Sequence, residues 1–233
     1  MSAPWSWLYK CAFTMGAALF AFACGGGVVY EVAAEHRLPP PTVDHFSKAQ
    51  ELLASGAYEE AKAQFRIATA IRKDMPEGFL GLADVFSQLG NLTGQEQAYR
   101  DLLSVRPHHL TARATLAGLL KDQGRLEEAI EHYAILASEA PDDGEVQLRL
   151  GALLLPAGRP AEAEAQLEKA LRLLPEDPRV HNNIGVAQIQ QGKRDPAILQ
   201  FEAAVRLDPS HVRYRANLDA ARTSRAAQEE GMQ

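Results

Sequence analysis

Gly56, Gly90, Gly124, Gly158 and Gly192 stand 34 residues apart without a slip. A fixed period of this length constrains the fold more than composition does. One supersecondary unit recurs, too small to bury its own apolar face, so neighbouring copies must cover it. Other columns keep the interval. A small residue recurs at Ala49, Ala83, Ala117, Gly151 and Gly185, and a large apolar one at Leu82, Leu116, Leu150, Ile184 and Leu218, with Lys48 as the odd first member. Phe65, Tyr99, Tyr133, Leu167 and Phe201 form a bulky column. Ala61, Ala129, Ala163 and Ala197 form a second small one, broken once by Gln95. Pro107, Pro141, Pro175 and Pro209 close the last four units, while Lys73 holds that place in the first.

Within a unit the apolar residues recur at three- and four-residue steps, as in Leu116, Ala117 and Leu120, then Ala129, Tyr133 and Leu136. That is helical periodicity interrupted by the glycine. The glycine ends the first helix because its left-handed capping conformation costs other residues more. Acids such as Glu127-Glu128 and Glu162 follow and suit the positive start of a second helix. Proline ends the unit because it cannot continue a helix. The small column lets the two helices of a hairpin touch, and the bulky column fills the gap to the next hairpin.

These columns resemble the tetratricopeptide repeat. The resemblance covers five units, 42–75, 76–109, 110–143, 144–177 and 178–211, followed by a capping helix and tail over 212–233. It implies an all-α fold, a right-handed superhelical solenoid of five helical hairpins with a C-terminal capping helix. It also implies a scaffold or adaptor with a concave peptide-binding groove and no catalysis. Arg213, Arg215, Arg222 and Arg225 alternate with Ala216, Leu218 and Ala221, giving the last helix the wet face that a cap requires.

Ahead of the repeats, residues 11–30 read CAFTMGAALFAFACGGGVVY, twenty residues without a charge. A helix of that length spans a bilayer's hydrocarbon core. Trp5, Trp7, Tyr9 and Tyr30 flank it as an aromatic belt would, and Lys10 before it favours a cytoplasmic N-terminus with the repeats outside. The expectation is a membrane anchor over 1–36, a single-pass transmembrane or signal-anchor helix with the repeat domain extracytoplasmic (periplasmic), and a Pro-rich spacer over 37–41. Two alternatives stay open. Ala21-Phe22-Ala23 resembles a signal-peptidase site, leaving a periplasmic body after cleavage. Ala21-Phe22-Ala23-Cys24-Gly25 resembles a lipoprotein box with Cys24 as the lipid-bearing residue, although Phe22 is bulkier than that pattern prefers.

Motifs for chemistry are absent from the sequence. No two of the seven histidines have the i, i+4 spacing of a helical metal site, and neither HExxH nor GxSxG occurs. The only cysteines, Cys11 and Cys24, lie in the apolar segment. Acid pairs such as Asp142-Asp143 stand where helices begin, where capping accounts for them. No catalytic residue, cofactor or metal is expected. A net charge of −6, from 30 acids against 24 Lys and Arg, excludes a general nucleic-acid binder.

The partner is therefore expected to be a protein or peptide in the groove, which in this repeat family is lined by the first helix of each hairpin. Carried over by column, Leu80, Leu148, Asn182 and Val186 line it, with Leu155 and Ile189 deeper along the same helices. The alternative is that the apolar ones pack between helices as core. Asn183, Arg213 and Asn217 gather at the late end, suited to a carboxylate or a peptide backbone. Asn183 and Arg213 match places in the Lys/Asn clamp of chaperone-tail binders. Leu148 and Ala152 stand where that clamp's first Lys and Asn belong, and Asn217 replaces its last Arg. The functional expectation is a membrane-anchored scaffold in the assembly of a bacterial envelope complex, or, alternatively, a permanent structural subunit of a membrane complex.

Overall fold

The structure, a computed structural model, describes residues 20–22, 29–31 and 41–231, with side-chain surroundings from 45 to 223. The chain forms two compact units that divide between Lys73 and Asp74.

In the first unit, β1 (Phe20–Phe22) pairs antiparallel with β2 (Val29–Glu31), with Ala21 opposite Tyr30. Five of these six residues, all but Glu31, are extended where a single apolar helix over 11–30 is expected. Three glycines between the strands weaken a helix there, while Phe20, Phe22, Val29 and Tyr30 favour extended backbone. The rest of that stretch, Cys24 included, lies outside the described residues. Among the described residues no helix is long and apolar enough to cross a membrane. Helices α1 (Pro41–Ala54) and α2 (Tyr58–Ile71) form the first hairpin, so Pro41 begins a helix rather than ending the spacer. Ala49 and Ala61 are wholly buried between them, and the rings of Phe46 and Phe65 meet edge to face at 5.8 Å.

The second unit carries four hairpins and a closing helix. They are α3 (Pro76–Gln88) with α4 (Leu92–Val105), α5 (Leu110–Asp122) with α6 (Leu126–Glu139), α7 (Gly144–Leu154) with α8 (Pro160–Leu173), α9 (Pro178–Gln190) with α10 (Arg194–Leu207), then α11 (Val212–Gly231). Each first helix packs on its own partner, and each second helix packs on the first helix of the next hairpin.

The columns explain this packing. The five periodic glycines have φ from +65° to +80°. At Gly124 the cap is complete: Gly124 N–H donates to Lys121 O at 2.9 Å and Arg125 N–H donates to Leu120 O at 2.9 Å, so carbonyls at the end of α5 are satisfied. Ala83 and Ala117 are fully buried where hairpin helices touch. At Gly185 in α9 the approach is closer, because a Cβ there would lie 2.6 Å from the Phe201 ring of α10. Phe201 also joins Ala197, Ile198, Leu218 and Ala221 in one buried cluster, so the bulky column serves its own hairpin and the following helix together.

One column escaped the sequence reading because its members differ in type. Arg113 donates to the carbonyl of Pro107, Gln147 Nε2 to that of Pro141 at 3.3 Å, and His181 Nε2 lies 3.2 Å from that of Pro175. In three consecutive units a side chain thus reaches back six residues to the carbonyl of the closing proline.

Ionic contacts link successive second helices. Arg125, just before α6, bonds Glu96 of α4 at 2.7 Å and Glu128 at 2.6 Å, while Arg100 of α4 reaches Glu128 at 2.9 Å. Burial would raise Glu96, but hydrogen bonds from Arg125 and Arg100 outweigh it and hold the carboxyl below its ordinary range. The same two arginines hold half-buried Glu128 down to about 2. Lys193 repeats the device on Glu164 of α8 at 2.7 Å.

Candidate functional site

Helices α9 and α11 begin successive units, run side by side, and share a seam. It is bridged where Asn217 Nδ2 of α11 donates to Asn182 Oδ1 of α9 at 2.7 Å. Asn182 is 6% exposed and directs its own Nδ2 to Asn183 Oδ1 at 3.3 Å. A depression of about 340 Å³ adjoins this bridge, walled by Val186, Ile189, Asn217 and Ala220, with Phe201 and Arg194 contributed by α10. A second, of about 250 Å³, is lined by Arg179, Asn182, Asn183, His211, Arg213 and Tyr214. It shares Arg179, His211 and Tyr214 with a cleft of about 780 Å³ at the loop edge, bounded by Leu173, Pro175 and Asp208.

The polar groups along the seam differ in how they are engaged. Arg179 is saturated, bonding Asp177 at 2.6 Å and Glu145 at 2.8 Å, which pushes its pKa up. Burial would raise Asp177, yet the hydrogen bonds from Arg179's side chain and backbone hold it below its usual value. Tyr214 is raised by burial, then by the nearby charges of Asp177 and Asp208. Its ring stacks on His211 with centroids 3.8 Å apart and planes 11° from parallel. Arg213 is exposed and pairs with no carboxylate among the described residues.

The seam gathers six of the residues named from sequence: Asn182, Asn183, Val186, Ile189, Arg213 and Asn217. Ile189 is the most open apolar one, at 38% exposed. Leu80 lies half-buried on α3, away from the seam. Leu148 and Leu155 were expected on an exposed wall, and here the expectation is corrected: they are 4% and 8% exposed, members of the core. Helix α7 has 11 residues where α3, α5 and α9 have 13. Pro156 supplies no backbone N–H to continue it, so Leu155 falls in the turn and packs inward. Cys24 lies outside the described residues. Tyr214 and His211 were missed. The available signal was the column Gly78, Ala112, Val146, Val180 and Tyr214, whose last member is far bulkier than its equivalents.

Among the described residues no group of three or more His, Cys, Asp or Glu is placed to hold a metal ion. The arrangement offers amides, a guanidinium and apolar walls, with the His211 imidazole and the Tyr214 ring at the loop edge.

No curated protein matches the sequence. Among solved structures the chain is similar to YrrB, described as a TPR protein with an unusual peptide-binding site, with a TM-score of 0.65 and 16% identity over 75% of this chain and 90% of that one. It is also similar to MamA from Desulfovibrio magneticus RS-1, residues 41 to the end, with a TM-score of 0.60 and 19% identity over 76% and 99% of the two chains. A MamA structure designated AMB-1 gives 0.61 and 22% over 73% and 93%. These likenesses establish the shared fold. The tetratricopeptide repeat model matches residues 46–109, 80–144, 111–178 and 148–212, most of the chain. The chain belongs to the tetratricopeptide repeat family.

Proposed function

We propose that this protein is a non-catalytic scaffold that takes a peptide segment of a partner protein along the α9–α11 seam. The observation that carries this reading is the meeting of apolar walls, exposed Ile189 and half-buried Val186, with amide and guanidinium groups, Asn183, Asn217 and Arg213, in adjoining depressions. Peptide recognition needs both parts, apolar contacts for affinity and a few placed polar groups for direction. The description of YrrB as having a peptide-binding site is in keeping with it.

The scaffold is proposed to work at a bacterial envelope membrane, assembling a complex there. This part rests on the twenty uncharged residues at 11–30 and their aromatic flanks. The described strands at 20–22 and 29–31 are not the helix that a span requires, so the anchor needs its own test. Sedimentation of the full-length chain with membranes through a carbonate wash, followed by protease protection of the repeats in spheroplasts, whose outer membrane is opened, supplies it. Carbonate-resistant chains with repeats cleaved only from outside would support an anchored, extracytoplasmic body. The mass of the N-terminal peptide separates an intact anchor from cleavage or lipidation at Cys24.

The groove is tested by affinity capture from detergent-solubilised membranes with native and Ile189→Glu baits. Loss of a partner with the variant supports the seam, and unchanged capture removes it. A fixed stoichiometry with that partner would favour a permanent subunit over an adaptor.

A further inference from the structure

We infer that the α5–α6 hairpin is a joint that opens in mild acid, because His132 and His109 each lose their place in the fold on taking up a proton. Three sets of contacts point to it.

The first is a pair of columns that face each other within every hairpin, 19 residues apart. In the first hairpin His45 Nδ1 lies 2.8 Å from Gln64 Oε1, and in the last His181 Nδ1 lies 2.8 Å from Gln200 Oε1. The second hairpin fills the same two places with Phe79 and Ala98, and the fourth with Gln147 and Gln166. The third holds two bases, Arg113 and His132. Arg113 is 8% exposed, donates to the Pro107 carbonyl, and pairs with no carboxylate among the described residues. Arg113 Nε and His132 Nδ1 are both buried with no hydrogen-bond partner among the described residues. A proton on His132 Nδ1 would add a second uncompensated charge and a donor without an acceptor.

The second is the set of charges around that ring. His132 is held below its ordinary value first by burial, then by Arg113 of α5 and Arg100 of α4. Glu131 and Glu128 of α6 oppose them, but Glu128 is already bonded by Arg125 and Arg100. The other charges of α5, Lys121 and Asp122, pair with each other at 3.0 Å at its far end. On α7, packed against α6, Glu145 is held by Arg149 and Arg179. A histidine whose folded-state pKa lies below the unfolded value of 6.5 contributes stability that is present above that value and lost as pH falls below it.

The third is the start of α5. His109 Nδ1 accepts from Ala112 N–H at 3.1 Å and caps the helix, where Asp143 and Asp177 cap α7 and α9. A proton on that nitrogen removes the acceptor and sets a positive charge at the positive end of the helix. His108 acts the other way, since it faces Glu139 at 2.6 Å, but its side chain is 85% exposed and such a contact contributes little. Because α5 packs on α4 and α6 on α7, opening this hairpin uncouples α3–α4 from the helices that carry the seam.

The test is amide exchange of the full-length protein in detergent at about pH 7.5 and about pH 5.5, with each rate corrected for the intrinsic effect of pH. One proton taken up only on opening is worth up to about tenfold per pH unit below the unfolded value. Protection in α5 and α6 is therefore expected to fall about tenfold, and that in α7 and α8, which contain no histidine, much less. His132→Gln, the residue type present at Gln64 and Gln200, is expected to abolish most of the fall, and His132→Gln with His109→Asp the whole of it. Circular dichroism at the higher pH confirms that the variants fold. Equal falls in α5–α6 and α7–α8 of the native chain, a comparison that needs no substitution, overturn the inference. So does a full fall in the folded double variant.

Discussion

Asn217 donates to the side-chain oxygen of Asn182 across 35 residues of sequence, at 2.7 Å, and that bond ties α11 to α9 over the floor of the seam. Asn182 is 6% exposed, so without Asn217 its carboxamide oxygen loses its partner where water reaches it poorly. Asn217→Ala is expected to lower stability by about 1–3 kcal/mol in urea unfolding. Adding Asn182→Ala should cost less than it does in the native chain, because the bond to Asn217 is already gone and only the longer bond from Asn182 to Asn183 remains to be lost. A double-mutant cycle with simply additive losses would show that the pair contributes nothing jointly.

Two mid-helix glycines are expected to respond oppositely to the same substitution. At Gly185 a Cβ meets the Phe201 ring at 2.6 Å, so Gly185→Ala should destabilise by about 1–3 kcal/mol through forced repacking. Phe201→Leu in that background should recover part of the loss. At Gly118 in α5 a Cβ meets nothing within 4 Å, and Gly118→Ala should stabilise by about 0.5–1 kcal/mol through helix propensity. Melting temperatures that move in the same direction for both would contradict the packing described at Gly185.

The hairpins were legible because their determinants are local and periodic. A glycine at φ near +77°, as at Gly124, or an alanine with no exposure, as at Ala117, leaves the same mark in every unit. The carbonyl-binding column was illegible because Arg113, Gln147 and His181 share a task and no chemical type. The groove was legible only in part. Ile189 and Leu155 occupy the same column, yet one is 38% exposed and the other 8%. The difference comes from Pro156 ending α7 early, a property of one unit that a column average hides.

The arginine cluster between α4 and α6 makes a prediction about acid. Glu96 and Glu128 titrate below their ordinary range, Glu128 near 2, because Arg125 and Arg100 bond their charged forms. A folded-state pKa below the unfolded one contributes stability that is present above the unfolded value and lost as pH falls toward the folded one. Arg125→Met should therefore lower the melting temperature at neutral pH, and the gap from the native chain should close between about pH 5 and pH 2. Raised salt should narrow the gap at neutral pH, since Arg125 and Glu128 are partly exposed. A gap constant with pH would assign the Arg125 effect to packing of its aliphatic stem.

Leu218 and Leu199 lie close in sequence and differ in burial, which separates the cap's contribution from general apolar content. Leu218 on α11 is 7% exposed and packs with Ala197, Ile198 and Phe201, closing the last hairpin. Leu199 on α10 is 65% exposed. Leu218→Ala is expected to cost about 2–4 kcal/mol, from lost burial and the cavity left beside Phe201. Leu199→Ala should stay within about 0.5 kcal/mol of the native chain. In a stack of repeats the outermost interface is the first to open, so the Leu218 loss should appear first as amide exchange in α10 and α11 before α5 and α6 respond. Uniform exchange across all the hairpins would mean that the unit unfolds as one body and that α11 is not a separable cap.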